Sequence, residues 1–481
     1  MVIAGGGPTG LMLAGELALA GVDAVVVERR PTQELDGSRA GGLLARSLEV
    51  LDQRGIVGRF LDAGQAYPTH GFAMIPLDIS DLPSRHAVTL GLPQRRFEPI
   101  LAAWVEDDLG VPILRDRDVT GFTQDDDGVT VELAEGAAIQ ARYLVGCDGG
   151  RSTIRRAAGI ESVGSEPETH WLIAEFEADD EPELGMRHDD VGAHGITRMA
   201  EGEPLRVLVV ERRVPPPGEP TLEDLRAALI EVWGTDHGLR SASWISRFDD
   251  RTRLATTYRS GRVLLAGDAA HTHGPMGGQG MNLGLQDAVN LGWKLAQVVA
   301  GTSPDSLLDT YHDERHPVAA RVVHKTLAQA ALNRRDDRSL ALRETVAGLL
   351  TMDGPRQHIA AMLLALDVRY DLGDGHPLVG RRVPDLDLVM AEGRSRVFEL
   401  LHEARPVLLD LTGLGDTDLG PWADRVRLVS ARVDGTWELP LIGEVPPPPA
   451  VLIRPDGHVA WVGHPAEPSL TTALSTWFGA G

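Results

Sequence analysis

The chain has a single cysteine, Cys147, among 481 residues. That excludes an intramolecular disulfide framework and a cysteine-based metal cluster, and no metal site is expected. Basic residues are in the minority: 46 Lys and Arg stand against 70 Asp and Glu, a net charge of −24. A surplus of that sign argues against a nucleic-acid partner or an anionic membrane surface, and it serves solubility. No apolar run approaches the roughly 20 residues of a membrane span. The N-terminus lacks a signal-peptide pattern, since Met1 leads directly into an apolar strand. What remains is globular: 43% hydrophobic, 24% charged, and long enough for two or three domains. A cytoplasmic enzyme is the expectation.

Residues 262–294 organise the rest. Positions 263–266 form a short apolar run that reads as a buried parallel strand. Gly267 and Asp268 follow. A loop with Gly274, Pro275, Gly277, Gly278 and Gly280 comes next, and a helical pattern runs from Met281 to Val299. A strand, a glycine-rich loop and a helix present backbone N–H groups to an electron-rich ligand. The glycines let backbone approach a flat, bulky ligand, and Asp268 suits a ligand hydroxyl. A tight crossover loop with no ligand is the plainer reading of the same stretch.

The N-terminus supplies an independent signal. Residues 2–4 are an apolar strand, and Gly5-Gly6-Gly7-Pro8-Thr9-Gly10 fits G-x-G-x-x-G. Residues 11–20 read as a helix and 24–27 as a second strand ending at Glu28, 18 residues after Gly10. In this context Gly5 permits the turn, Gly7 admits a pyrophosphate and Gly10 allows close packing. Glu28 can accept from a ribose hydroxyl. The fingerprint does not separate NAD from FAD. Arg39 and Arg46 flank a helix start, and arginine suits phosphates and flat rings, though both also read as solvated side chains. A third strand end, Gly146-Cys147-Asp148-Gly149, repeats the pattern of an acid among glycines. Cys147 has no activating neighbour in sequence and reads as a small buried residue.

Between these motifs, residues 169–257 alternate in runs at 171–178, 194–199 and 205–212, as in an antiparallel sheet with one polar face. A single helix, 222–233, is capped by Thr221. Helices are expected at 97–108, 304–316, 318–332 and 338–365. Short strands at 407–411, 426–431 and 450–453, a turn at Pro455-Asp456-Gly457 and a helix at 470–478 make a small C-terminal α/β module.

The three glycine–acid segments together resemble the flavin motifs of class A flavoprotein aromatic hydroxylases, the p-hydroxybenzoate hydroxylase fold. The whole chain is similar to the actinomycete aromatic-polyketide hydroxylases acting on angucyclines and anthracyclines, relatives of rifampicin monooxygenase. The resemblance implies an α/β fold: a Rossmann-like FAD-binding domain (1–66, 93–168 and 258–380), an inserted antiparallel-sheet substrate domain (67–92 and 169–257), and a C-terminal thioredoxin-like domain (381–481) without CxxC. It implies non-covalent FAD held by Gly5, Gly7, Pro8, Thr9, Gly10, Glu28, Arg29, Arg39, Arg46, Gln94 and Val119. Asp148, Asp268, Pro275, Gly278, Gly280, Met281 and Asn282 complete the set, and Arg46 would follow a moving flavin. NADPH or NADH and O2 are the implied co-substrates, a flavin C4a-hydroperoxide the oxidant, and a multi-ring aromatic polyketide the substrate of a monomer or homodimer. The resemblance fixes no catalytic base. Baeyer–Villiger insertion, antibiotic inactivation and a non-catalytic prenyl-binding relative are the alternatives.

Overall fold

The structure is a computed structural model that describes all residues except 38–39, 199–201, 203, 215–217, 275, 335, 374 and 414–416. Its centre is a six-stranded sheet in the order 259–260, 263–265, 144–146, 2–4, 25–27, 113–114. All neighbours are parallel except the 259–260 edge. The strands are short and buried on both faces, so they read as unbroken apolar runs rather than alternating ones. The Pro8–Leu19 and Gly280–Ala300 helices pack together beside this sheet. Thr9 is wedged at their contact: a Cβ on Gly284 would lie 2.3 Å from its hydroxyl, and one on Gly267 2.5 Å from it.

The inserted unit is a five-stranded antiparallel sheet ordered 185–188, 193–197, 205–211, 170–178, 239–249. The Leu222–Trp233 helix covers one face through Leu225 and Leu229. Its Thr221 caps it in a box with Asp224, as the sequence reads. The Leu239–Asp249 strand escapes sequence reading. Only Leu239 is buried along it, because most of its side chains stay partly open to water, so no apolar alternation marks it.

Residues 67–92 do not pair with that sheet. Strand 89–91 pairs with Gly42–Leu43 on one side and with 65–67 on the other, and a hairpin of Thr69–Phe72 with Ile75–Asp78 packs on the Asp353–Leu363 helix. Pro317 does not divide the next helix: Asp309–Leu332 runs through it. A proline removes one helical hydrogen bond. Buried bonds from Tyr311, Glu314 and Arg315 on one side, and buried Val318 and Val322 on the other, hold the axis across the gap. The 338–365 region is two helices, Asp337–Leu349 and Asp353–Leu363.

The C-terminal module is built on a four-stranded sheet ordered 427–430, 407–410, 450–453, 459–462. Its side chains alternate between two cores. Leu408 and Leu452 join the main core, while Val407, Leu409, Val451 and Ile453 build the module's own. Among the described residues no helix is long and apolar enough to cross a membrane.

Candidate cofactor and substrate site

Register brings the site together. Ala4 pairs with both Val27 and Gly146, and Gly146 pairs with Leu265, so four parallel strands end level with one another. The segments that leave them carry Gly5, Glu28, Asp148 and Asp268. Open α/β sheets bind ligands beyond the carboxyl ends of their strands, and here all four motifs leave from that edge.

Each glycine of the fingerprint has a distinct geometric reason. Gly5 sits at φ 110°, and a Cβ there would lie 2.3 Å from the Cys147 carbonyl oxygen. A Cβ on Gly10 would lie 2.0 Å from the Gly5 carbonyl oxygen. Gly7 is different: nothing lies within 4 Å of its would-be Cβ, and it caps a helix whose first residue is Pro8. Free space at a helix N-terminus fits a pyrophosphate.

Glu28 is buried and already organised. It accepts the Gly6 N–H at 2.6 Å and the Arg30 Nε at 2.8 Å. Burial alone would raise its pKa, but the bonds from Arg30 and Gly6 outweigh it and hold the carboxyl below its usual value. Arg30 and Gln94 both donate to Glu98, which is fully buried; the Gln94 bond is 2.8 Å. Glu98 thus links Gln94 to Glu28 by way of Arg30, a residue the sequence reading did not single out. Arg29 is exposed, and Val119 is buried at the start of a separate three-stranded sheet.

Asp148 accepts the N–H groups of Thr153 (2.6 Å) and Ile154 (3.1 Å) with one oxygen, while its other oxygen is buried without a partner. Burial, with Asp148 and Asp287 adding, pushes the Cys147 thiol well up, so it is held as an inert thiol.

Asp268 is exposed in the turn after 263–265. Gly280, the first residue of its helix, lies beside it: the would-be Cβ is 3.9 Å from an Asp268 oxygen and 3.8 Å from His273 Nε2. The turn is pinned from below by Asp287. That fully buried carboxylate accepts the Gly267 N–H (3.1 Å), Arg315 Nε (2.7 Å) and a 2.6 Å bond with His271. Burial opposes its charge, but His271 and Arg315 prevail and its pKa is lowered. The sequence names none of these three. Gly278 stands at φ 60° with open space around it, and Met281 is half-buried. Asn282 fastens the loop, accepting from Leu44 N–H (2.9 Å) and donating to the Gly278 carbonyl (2.8 Å).

The resemblance puts Arg46 at the cofactor. Here its guanidinium is 3% exposed and bonded to Glu49 (3.1 Å) and to the Asp456 carbonyl in the C-terminal module (2.9 Å). Following a moving flavin would require breaking both. Arg39 and Pro275 lie outside the described residues. No cluster of three or more His, Cys, Asp or Glu among the described residues is placed to hold a metal.

The residues present fit FAD: an open glycine cradle, an organised acid at the second strand end, and an exposed Asp268 beside a helix N-terminus. Sequence comparison agrees. A model described as an FAD binding domain matches residues 1–326, and one described as the C-terminal domain of aromatic-ring hydroxylases matches 376–481. The chain belongs to the FAD-dependent aromatic-ring hydroxylase family, and it is an FAD-dependent monooxygenase with NADPH or NADH and O2 as co-substrates. It is 43% identical to rifampicin monooxygenase of Streptomyces venezuelae over 489 residues, covering all of this chain and 98% of that protein. The solved structure of OxyS anhydrotetracycline hydroxylase from Streptomyces rimosus is similar at 43% identity and TM-score 0.90, over 99% of this chain and 98% of that one. CabE, an aromatic hydroxylase from angucycline biosynthesis, is similar at 40% identity and TM-score 0.91, over 100% and 99%.

Proposed function

We propose that this enzyme hydroxylates a flat, multi-ring phenolic polyketide in the cytoplasm. The observation that carries the reading is the level ending of four strands at Gly5, Glu28, Asp148 and Asp268. It supports a cofactor lying across these strand ends. Relatives of equal identity are named for anhydrotetracycline and for rifampicin, and both names support a multi-ring substrate.

In this reading Gly5, Gly7, Pro8, Thr9 and Gly10 hold the pyrophosphate at the helix N-terminus, and Glu28 takes an adenosine ribose hydroxyl. Gln94 and Asp268 hold the ribityl chain. The N–H groups of Met281 and Asn282, which open their helix, face the pyrimidine edge. Bound FAD supplies hydride acceptance and oxygen activation. The protein's own part is to orient the ring carbon and exclude water. The stiff Asp287–His271–Arg315 cluster below Gly267 keeps the loop in place.

Turnover of anhydrotetracycline under oxygen-18 gas, with product structure by NMR, tests this. A labelled phenol or ring hydroxyl is the expected product. A labelled lactone oxygen would move the enzyme to Baeyer–Villiger insertion. Hydrogen peroxide as the sole product with every multi-ring phenol tried would discard the substrate class.

A further inference from the structure

The C-terminal end of the Asp353–Leu363 helix is where three other helices meet. The last carbonyls of a helix have no partners within it. Here three consecutive ones are each taken by a different element. The Met362 carbonyl accepts from Lys325 Nζ (2.9 Å) on the Asp309–Leu332 helix. The Leu363 carbonyl accepts from Gln279 Nε2 (3.0 Å), at the entrance to the Gly280–Ala300 helix. The Leu364 carbonyl accepts from the Arg46 N–H (3.3 Å), at the start of the Ala45–Asp52 helix. Lysine suits such an end, because the helix dipole leaves partial negative charge there.

The first two side chains have hydrogen-bonding capacity to spare, although Lys325 is 5% exposed and Gln279 only 4%. An ammonium carries three protons, and Lys325 spends one of them on Met362. The Gln279 Oε1 is buried with no hydrogen-bond partner among the described residues. Gripping neighbouring carbonyls brings the two side chains together, and both line one cavity. Its other walls are mainly apolar, among them Leu44, Leu283, Val322 and Val368. It offers about 20 Å³, room for one or two waters. A buried water needs two to four polar partners, and an unused donor with an unused acceptor supplies two.

No carboxylate accounts for the ammonium. Asp367 acts on it, but that carboxylate is held by Arg321 through two 3.0 Å contacts. Burial lowers the Lys325 pKa to about 8, with Asp367 opposing and Arg321 adding. A buried ammonium costs stability unless hydrogen bonds replace its lost hydration.

We propose that Lys325 is a positioning residue for the glycine-rich loop that ends at Gly280: through a buried water it donates to Gln279 Oε1 and fixes the loop against the Asp353–Leu363 helix. Asn282 lines the same cavity and accepts from the Leu44 N–H, so the water joins the groups that fasten this loop. The role in cofactor binding rests on the placement of Met281 and Asn282 at the pyrimidine edge of FAD given above.

The test uses the full-length protein and FAD. A high-resolution crystal structure of the FAD complex should show an ordered water within hydrogen-bond distance of both Lys325 Nζ and Gln279 Oε1; a structure without one overturns the proposal. Lys325→Met should weaken FAD binding by about tenfold or more, the scale of one hydrogen bond to a charged group. It should also shift the visible absorption band of the bound flavin. Gln279→Met should act in the same direction. The double variant Lys325→Met/Gln279→Met should lose clearly less than the two single losses combined, since either change removes the water. Independent, additive losses overturn the link. A lower melting temperature of the apoprotein with unchanged FAD affinity and spectrum would make Lys325 a packing residue, and that overturns it too. Asp268→Ala is the control on cofactor placement. If that variant weakens FAD binding and Lys325→Met does not, the proposal alone fails. If neither does, the cofactor placement fails and the proposal with it.

Discussion

Replacing Arg54 by Met should be strongly destabilising although Arg54 lies away from the cofactor. Arg54 clamps Glu16 of the nucleotide helix with bonds of 2.6 and 2.8 Å, and neither side chain has any exposure. The same guanidinium donates to the carbonyls of Leu401 (3.0 Å) and Pro455 (2.8 Å) in the C-terminal module. Removing one member of a buried pair leaves an uncompensated charge and costs about 3–5 kcal/mol. For 481 residues melting together that is a fall in melting temperature of roughly 3–5 °C. The pH dependence supplies a second reading. Burial already raises the Glu16 pKa, and Arg54 opposes that rise. Without Arg54 the rise grows, so the folded variant binds a proton that the unfolded chain has released above its ordinary pKa of about 4.3. Stability then falls as pH climbs from there through the raised folded value. The deficit against wild type should therefore be smaller in mildly acidic than in mildly alkaline buffer. Calorimetry of both proteins with saturating FAD measures it. Equal melting temperatures in alkaline buffer, or a deficit that does not shrink on acidification, would refute the argument. Glu16→Met with Arg54→Met should recover part of the loss, since no charge is then stranded.

Asp268→Ala should weaken FAD binding by roughly 10- to 100-fold, because a hydrogen bond to a charged group contributes about 1.5–3 kcal/mol. Fluorescence titration of apoprotein checks it, and unchanged affinity removes Asp268 from the site. Cys147→Ser should leave turnover within a few-fold, since its thiol is held protonated; loss of activity in a folded, FAD-replete variant would contradict that. Burial lowers the His458 pKa to about 4 despite Asp456 beside it. Over the interval from 6.5 down to that value the unfolded chain gains a proton that the folded one refuses, so stability drops on acidification. His458→Gln should flatten the melting-temperature profile there, and an unchanged acid limb would dismiss the effect.

The parts of this protein legible in its sequence are those with local causes. The Gly5–Gly10 turn, Glu28 at the next strand end and the Asp268 loop each follow from a strand–turn–helix unit within about thirty residues. The Thr221–Asp224 capping box fixes its helix within four positions. What stayed hidden has distant or unconventional causes. Glu98 meets Arg30 across 68 positions, and Arg46 meets the Asp456 carbonyl across 410. The 69–78 hairpin turns on Ala73 and Met74, at φ 48° and 66°, where a two-residue turn usually shows Asn-Gly. Ala73 is held instead from outside, its N–H donating to Gln329 on the Asp309–Leu332 helix. Its reason lies on a helix more than 250 residues away.

The C-terminal module shows how a turn can be read correctly and still mislead. Pro455-Asp456-Gly457 is a turn, as its residues say, and turns of that kind usually lie at the surface. Here Arg454, Asp456 and His458 are all buried. Arg454 bonds Glu314, Asp456 accepts from Asn290, and the carbonyls of Asp456 and Pro455 accept from Arg46 and Arg54. One hairpin therefore grips the Ala45–Asp52, Gly280–Ala300 and Asp309–Leu332 helices together. Gly457 is required there: it sits at φ 73°, and a Cβ would lie 2.5 Å from the Gln53 side chain. Two of those helices carry Asn282 and Arg315, which fix the loop around Asp268. A module in a chain that holds one cysteine, itself at position 147 outside the module, cannot perform dithiol chemistry. Its alternate side chains instead complete the main core. The module packs as a wall against the helices that carry the Asp268 loop, through apolar side chains and buried charge.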